Sequence, residues 1–216
     1  MTDELVPAAK AVAELQPAIE AFAEATGLTG PVRELAAWVT DLIRYRRAPH
    51  QANLLMATAE KIRASGLPVR AVEDKFLRAV LEDGAMEDDA LMQERWSNLL
   101  ANAGTSRPSK PRIAFPKILA ELDPDDAMLL DALVDRTSEE AFRVQNFPIE
   151  ECRELAEGQT AGLSNLCRLG LLRFQRAMPT TMASISEEGA RIVSVRITEF
   201  GWEFVRACRS PGLHPA

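Results

Sequence analysis

Apolar residues in the first half of the chain recur every three or four positions, which is the spacing of one face of an α-helix. The clearest case is the predicted helix in residues 88–104, because its apolar residues form one continuous seam: Met92, Trp96, Leu99 and Ala103. Similar spacing occurs in residues 4–25, 31–66 and 69–82. We therefore predict that residues 1–104 form a helical region without a β-sheet.

The second half of the chain combines helices and strands. Helical spacing continues in residues 123–134, 147–157 and 160–170. Two runs of strand character follow, residues 171–174 and 191–197, and the second alternates with the period of two that is typical of a strand. We expect no strand before the first of these two runs.

The last helix is predicted to begin after Thr198, whose hydroxyl can cap it. Three helices, a two-stranded ribbon and a closing helix are the parts of a winged helix-turn-helix, with residues 178–189 as the wing loop. Residues 105–112 are rich in Ser and Pro, which is typical of a linker. The predicted fold is therefore mainly α. It consists of a helical region in residues 1–104, the linker, and a winged helix-turn-helix-like module with a two-stranded β-ribbon in residues 113–216.

Composition places the chain among ordinary globular proteins. It has 216 residues, of which 47% are hydrophobic, and a formal net charge of −7. An acidic chain is not a general polyanion binder, so any contact with nucleic acid has to be local. The three cysteines form no CxxC pair, which predicts buried thiols in a reducing compartment rather than a disulfide framework or a zinc site. No membrane span and no secretory signal are visible, so we expect a cytoplasmic protein.

Four sequence blocks resemble the abortive-infection alpha family, in the same order along the chain. They are DALMQERWSNLLANAG, FPKILAELDPDDAMLLDAL, LSNLCRLGLL and VRITEFGWEFVRAC. Upstream, the spacing of four further residues resembles the long-helix pattern of that family: Trp38, Arg44, Arg46 and Asn53. The similarity therefore extends over residues 30–208. The resemblance implies a bacterial phage-defence process in which infected cells stop growing or die. It implies no particular biochemical activity and no catalytic residues.

The most basic run of the chain is a candidate binding surface. Arg44 and Arg47 share one face of the predicted helix, and Arg46, His50 and Asn53 share another. Such a surface can bind a phosphate, a phage protein or an acidic segment of the same chain. The alternative is that these side chains are solvated or neutralised within the molecule.

A cluster of acidic residues precedes the predicted helix of residues 88–104: Glu82, Asp83, Glu87, Asp88 and Asp89. One interpretation of the cluster is a magnesium site. Acids also complement the helix dipole at this position, and that is the more common arrangement. We therefore expect Asp88 or Asp89 to cap the helix, and we expect no metal site.

A set of polar and aromatic residues is predicted to be structural: Trp38, Trp96, Asn98 and Asn102. Trp96 belongs to the apolar seam, whereas Asn98 and Asn102 lie four residues apart and share a neighbouring face. One interpretation of the two amides is a polar site between helices. We prefer the other, in which buried amides bond to the main chain of a following segment, because no titratable residue accompanies them.

Catalytic chemistry has little support in the sequence. The only histidines are His50 and His214, and nothing places a nucleophile beside His50. No HExxH, GxSxG, P-loop or GxGxxG motif is present. We expect no enzymatic activity and no cofactor.

Three functions remain open at this point. The first is a non-enzymatic phage-defence protein that acts through contacts with a host or phage protein, or with a second copy of itself. The second is a winged-helix transcriptional regulator, in which Ser164, Asn165 and Arg168 contact DNA. The third is an effector at a membrane surface, although no anchor is visible. We prefer the first and expect no sequence-specific DNA binding, because the wing loop has no Lys or Arg and carries Glu187 and Glu188.

Overall fold

The computed structural model describes five stretches of the chain, residues 17–25, 48–106, 110–155, 160–176 and 192–212. Contacts within the chain divide it into two units. The first unit contains Met1–Ala120 and Ala207–Ala216, and the second contains Glu121–Arg206. The domains predicted from the sequence, 1–104 and 113–216, have different bounds. They stay a prediction, because contacts in the folded chain do not test whether a segment folds alone.

The described part of the first unit is helical. Residues 17–25 form helix α1, and the other helices are α2 (Ala48–Ser65), α3 (Asp74–Asp83), α4 (Ala90–Gly104) and α5 (Phe115–Ala120). A short 3-10 turn, Gly84–Met86, follows α3. Asp89 caps α4, as predicted, because its Oδ1 accepts a hydrogen bond from the N–H of Met92 at 2.9 Å.

Helix α4 supplies much of the core of the first unit. Its predicted apolar seam is buried, and the indole of Trp96 is 1% exposed. Gly84 lies against this indole: a Cβ at Gly84 would be 3.0 Å from Cδ2 of Trp96 and 3.2 Å from Cδ2 of Leu54. A glycine at this position therefore allows the 3-10 turn to approach side chains of both α2 and α4.

The first residues of the predicted linker 105–112 are paired with an earlier part of the first unit. Thr105 forms an isolated antiparallel bridge with Val69. The N–H of Ser106 donates to the carbonyl oxygen of Pro68 at 2.7 Å. Apart from this bridge, residues 48–104 contain no β-structure, which agrees with the helical region predicted there.

The second unit contains helices and a small sheet. Its elements are α6 (Pro124–Asp135), β1 (Phe147–Pro148), α7 (Ile149–Leu155), α8 (Thr160–Arg168), β2 (Leu172–Arg176), β3 (Ile192–Ile197) and α9 (Glu199–Cys208), whose last two residues are grouped with the first unit. The strands are antiparallel and lie in the order β1-β3-β2. The chain is therefore mainly helical, with a small three-stranded sheet.

The predictions of a two-stranded ribbon and of no strand before residue 171 were wrong. Phe147 pairs with Val195, and Pro148 pairs with Ser194. A strand of two residues is too short to show an alternating pattern, so the sequence assigned these residues to the helix that follows. Proline is compatible with β1 because this strand lies at the edge of the sheet.

Two helix ends beside the sheet are as predicted. Gly170 ends α8 with a φ of +75°, and the N–H of Leu171 donates to the carbonyl oxygen of Leu166 at 3.0 Å. At the start of α9, the hydroxyl of Thr198 accepts a hydrogen bond from the N–H of Gly201 at 2.9 Å. The predicted wing loop, residues 178–189, lies outside the described residues.

Candidate functional site

A cavity of about 300 Å³ lies in the first unit between α2 and α4. Polar side chains from both helices line it: His50, Asn53 and Lys61 from α2, and Gln93, Glu94 and Ser97 from α4. Leu54, Ala57, Gly84 and Ala90 add apolar surface. His50 and Asn53 are the members of the predicted basic run that the described residues include; both line this cavity, and Asn53 is exposed. We call this site the α2–α4 cavity.

Lys61 is the cation of the α2–α4 cavity, and its ammonium group contacts two other side chains. Its Nζ donates to Oδ1 of Asn98 at 2.6 Å and lies 3.4 Å from Oε1 of Glu94. The side chain of Glu94 is more than half exposed, so this ion pair contributes at most about 1 kcal/mol. The pair nevertheless balances the charge of the cavity and fixes the position of the ammonium group.

Two other polar groups of the cavity are held by the main chain. Nε2 of Gln93 donates to the carbonyl oxygen of Glu87 at 2.9 Å, and the hydroxyl of Ser97 donates to the carbonyl oxygen of Glu94 at 2.8 Å. These bonds orient the wall that α4 contributes. The result is a preformed pocket with apolar surface and a few placed polar groups, the usual composition of a binding pocket.

Exposed apolar side chains belong to the same elements that form the cavity. Met56 on α2 is 39% exposed, Met86 in the 3-10 turn is 58% exposed, and Leu91 on α4 is 52% exposed. A single exposed apolar residue needs no explanation, but methionine and other large apolar residues are enriched where proteins bind one another. All three side chains lie outside the lining of the α2–α4 cavity.

The amides of Asn98 and Asn102 lie on α4 and bind a distant segment of the same unit. Nδ2 of Asn98 donates to the carbonyl oxygen of Cys208 at 3.0 Å. Nδ2 of Asn102 donates to the carbonyl oxygens of Ala207 at 2.8 Å and Arg209 at 2.7 Å. The structure therefore places both amide nitrogens against main chain, whereas Oδ1 of Asn98 accepts a hydrogen bond from the titratable side chain of Lys61, which the sequence did not predict.

Sequence analysis missed Arg70, which completes the same end of α4. Its Nε donates to the carbonyl oxygen of Ala103 at 2.9 Å, and its Nη2 donates to that of Asn102 at 3.3 Å. A cation at this position complements the dipole and binds carbonyls that have no partner within the helix. Partial burial lowers the pKa of Arg70, and nearby Glu73 opposes that effect. No local signal reveals the role, because Arg70 lies more than 30 residues before its partners.

Most of the predicted basic surface cannot be placed. Arg44, Arg46 and Arg47 lie outside the described residues, and so does Trp38.

In the acidic cluster, Oε1 of Glu87 accepts a hydrogen bond from the N–H of Asp89 at 2.9 Å, so both acids contribute to the start of α4. Within the described stretches, no group of three or more His, Cys, Asp or Glu side chains is arranged to hold a metal ion.

The residues assigned to the DNA alternative lie on α8 of the second unit. Ser164 is exposed, but Asn165 and Arg168 bind acidic residues around the start of α6. Nδ2 of Asn165 donates to Oδ2 of Asp126 at 2.7 Å, and Nη2 of Arg168 lies 2.7 Å from Oε2 of Glu121. Arg168 also donates to Oδ1 of Asn165 at 2.8 Å. Arg168, the only cation among residues 160–170, thus forms an exposed ion pair within the unit.

The thiols of the second unit are protonated at neutral pH. Burial raises the pKa of Cys152 to about 11, and it raises the pKa of Cys167 to the same value. A thiol is nucleophilic as the thiolate, so neither group is activated for catalysis. None of the three cysteines, Cys152, Cys167 and Cys208, forms a disulfide.

Comparison with known proteins identifies the class of this chain. The fold is that of a mainly helical protein with a small antiparallel sheet, and a family model described as abortive infection alpha matches residues 50–208. Since the match covers most of the chain, the protein belongs to the abortive infection alpha family. No curated protein and no solved structure matches it. Among the described residues, no helix is both long and apolar enough to cross a membrane.

Proposed function

We propose that this protein is a non-enzymatic defence protein of the abortive-infection type, and that it acts by binding a partner protein at the α2–α4 cavity. Membership of the abortive infection alpha family supports the process. The cavity supports the mode of action, and it lies within the matched residues 50–208. The partner is a host or phage protein that inserts an apolar side chain between polar groups of the two helices.

The single observation that carries this proposal is the combination of a preformed cavity with exposed apolar residues on the same elements. Ala57 and Leu54 give the cavity an apolar wall, and Met56 and Leu91 are exposed on the same two helices outside its lining. Interfaces draw most of their binding energy from a few side chains that fill such pockets. The paired charges of Lys61 and Glu94 leave the cavity close to neutral, which favours an apolar anchor over a charged ligand.

The proposed lack of enzymatic activity rests on how the reactive groups are engaged. The thiols of Cys152 and Cys167 are protonated, and the ammonium group of Lys61 is bound by Asn98. In the cavity, Ser97 donates its hydroxyl hydrogen to a main-chain oxygen and not to a base. The free thiols also support the proposal of a reducing, cytoplasmic location.

The proposed fold of the second unit is a winged helix. The order from α6 to β3 is helix, strand, helix, helix, strand, strand, and β3 lies between the other two strands. The ion pair between Arg168 and Glu121 supports the proposal that α8 is not a DNA-reading helix. The unit then serves the defence function as a structural or protein-binding module.

A phage-protection assay tests the proposed function. Bacteria that express the protein are infected, and plaques are counted for the wild type and three variants. Ala57→Trp fills the cavity and Asn53→Arg changes its rim, so both should abolish protection. Ala64→Trp adds the same bulk at an exposed position of α2 outside the cavity, so it should protect like the wild type.

Circular dichroism melting accompanies the assay, because Ala57→Trp can also unfold the protein. Asn53 is exposed, so Asn53→Arg should melt within a few degrees of the wild type. Protection that persists in a folded Asn53→Arg and a folded Ala57→Trp variant would overturn the proposed site. A wild type that protects against no phage would overturn the proposed process.

A further inference from the structure

A second cavity, of about 500 Å³, lies in the second unit, where the paired strands β2 and β3 meet the start of α9. Its lining includes three arginines, Arg143, Arg173 and Arg196, together with Thr198 and one acid, Glu199. We propose that this arginine cavity binds a phosphate monoester, a group that neither the family nor the α2–α4 cavity accounts for.

The relation between Arg173 and Arg196 is the first argument. These residues are direct partners in the antiparallel pair of β2 and β3, so their side chains leave the same face of the sheet side by side. Like charges placed directly opposite one another destabilise a sheet. Within the described stretches, no carboxylate forms an ion pair with either guanidinium group. An anion bound between them removes this repulsion.

The positions of Arg196 and Arg143 are the second argument. Nη1 of Arg196 donates to the carbonyl oxygen of Arg143 at 3.2 Å, so the guanidinium group is held at the cavity. Arg143 lies 3.2 Å from Oε1 of Glu199, and its Cζ lies 5.5 Å from the centre of the Phe142 ring. That ring stacks on Trp202 with a centroid distance of 4.9 Å. Two of the three guanidinium groups therefore have contacts within the protein at the cavity.

The charge of the arginine cavity selects the class of anion. Three guanidinium groups and one carboxylate leave an excess of two positive charges. A phosphate monoester carries about 1.5 to 2 negative charges at pH 7, whereas a carboxylate or a phosphodiester carries one. Guanidinium groups also bind phosphate oxygens through paired hydrogen bonds. The start of α9 is not needed for this argument, because Thr198 already caps it.

The source of the monoester is either a free phosphorylated molecule or the phosphorylated end of a nucleic acid. Calorimetric titration of the full chain separates them, with inorganic phosphate, AMP, adenosine and a short oligonucleotide carrying either a 5′-phosphate or a 5′-hydroxyl. We expect phosphate and AMP to bind and adenosine not to bind. Binding of the 5′-phosphate form, but not the 5′-hydroxyl form, adds nucleic acid ends as a source.

Matched variants locate the binding. Arg173→Gln and Arg196→Gln should each weaken AMP binding by at least about tenfold. Arg176→Gln removes the same charge from the same strand, outside the cavity, and should bind AMP like the wild type. Because the opposed charges destabilise the sheet, neither Arg173→Gln nor Arg196→Gln should have a lower melting temperature than the wild type. AMP should raise the melting temperature only of those proteins that bind it.

Two results would overturn the proposal. One is the absence of AMP and phosphate binding up to millimolar concentration. The other is that the 5′-phosphate and 5′-hydroxyl oligonucleotides bind equally well and that Arg173→Gln abolishes this binding. That result would mean that the cavity binds the phosphodiester backbone instead. AMP binding that is unchanged in both cavity variants would place the site elsewhere and also contradict it.

Discussion

Asn102 on α4 donates a hydrogen bond to the main-chain oxygen of Ala207 at 2.8 Å, across 105 residues of sequence. The same amide also donates to the carbonyl oxygen of Arg209. Asn98, one turn earlier on α4, binds Cys208 in the same way. Two side-chain amides thus hold the segment from Ala207 against α4, and the hydroxyl of Ser210 also donates to Oδ1 of Asn98 at 3.4 Å.

Replacement of Asn102 should therefore lower the stability of the folded protein. We expect Asn102→Leu to lower the free energy of unfolding by about 2–4 kcal/mol, because the change removes one donor from two main-chain oxygens and each buried, unpaired polar group costs about 1–3 kcal/mol. Urea unfolding measures the effect. Asn53→Leu, at an exposed position, serves as the control and should change stability by less than about 0.5 kcal/mol. Equal stability of the two variants would mean that the amide bonds do not hold the segment.

Trp96 tests whether α4 is mainly structural. Because its indole is buried and lies against Gly84, Trp96→Ala should cost about 3–5 kcal/mol and should abolish protection through unfolding. Thermal melting and the plaque assay are measured on the same variant. If the variant melts like the wild type and yet fails to protect, Trp96 belongs to a binding surface and not to the core.

The raised pKa of Cys152 predicts how stability depends on alkaline pH. In the folded chain this pKa is about 11, against 9.0 for an unperturbed thiol. Between these values the unfolded thiol loses its proton while the folded thiol keeps it, so the unfolded state is favoured as pH rises. The contribution of Cys152 to stability is complete below about pH 9 and is lost between pH 9 and 11.

Urea midpoints at pH 8, 9.5 and 10.5 measure this effect in the wild type and in Cys152→Ala. Other groups also titrate in this range, so the comparison is between slopes and not between absolute midpoints. The decline with pH should be shallower in Cys152→Ala. Parallel declines in the two proteins would show that the folded thiol has an ordinary pKa.

DNA binding gives a separate prediction for the second unit. Since Arg168 pairs with Glu121 and Asn165 binds Asp126, we expect no saturable binding to genomic fragments tighter than about 1 μM at physiological salt. Fluorescence anisotropy of the purified protein measures it. Competitor-resistant binding below that concentration, abolished by Arg168→Ala, would restore the regulator hypothesis.

The basic cluster before α2 remains a sequence-based hypothesis with its own test. The double variant Arg44→Ala/Arg46→Ala should keep the melting temperature of the wild type, because exposed charges contribute about 0–1 kcal/mol. We expect it to reduce phage protection. Full protection by the folded double variant would assign these arginines to the solvated surface.

Much of the fold could be predicted because its signals are local. The apolar seam of α4, the caps at Asp89 and Thr198, and the end of α8 at Gly170 each depend on residues within a few positions of one another. Strand β1 could not be predicted, because two residues carry no periodic pattern and their pairing with β3 joins positions far apart in sequence.

The candidate sites show the same limit. Asn53 was selected from the basic run, but its neighbours Gln93 and Glu94 come from α4 and are brought to it only by tertiary packing. Arg143 and Arg196 are likewise 53 residues apart, and no local motif joins them. Spacing alone predicted that Asn98 and Asn102 share one face of α4, whereas their bonds to Lys61 and to Ala207 could not be predicted from it.

Capture of a partner from infected cells measures whether the protein acts through a protein contact at the α2–α4 cavity. Wild type, Ala57→Trp and Ala64→Trp are immobilised and exposed to extracts of phage-infected cells, treated separately with nuclease and with detergent. We expect a protein that binds wild type and Ala64→Trp, remains bound after both treatments and does not bind folded Ala57→Trp. Capture that nuclease or detergent removes, or that Ala57→Trp retains, would contradict it.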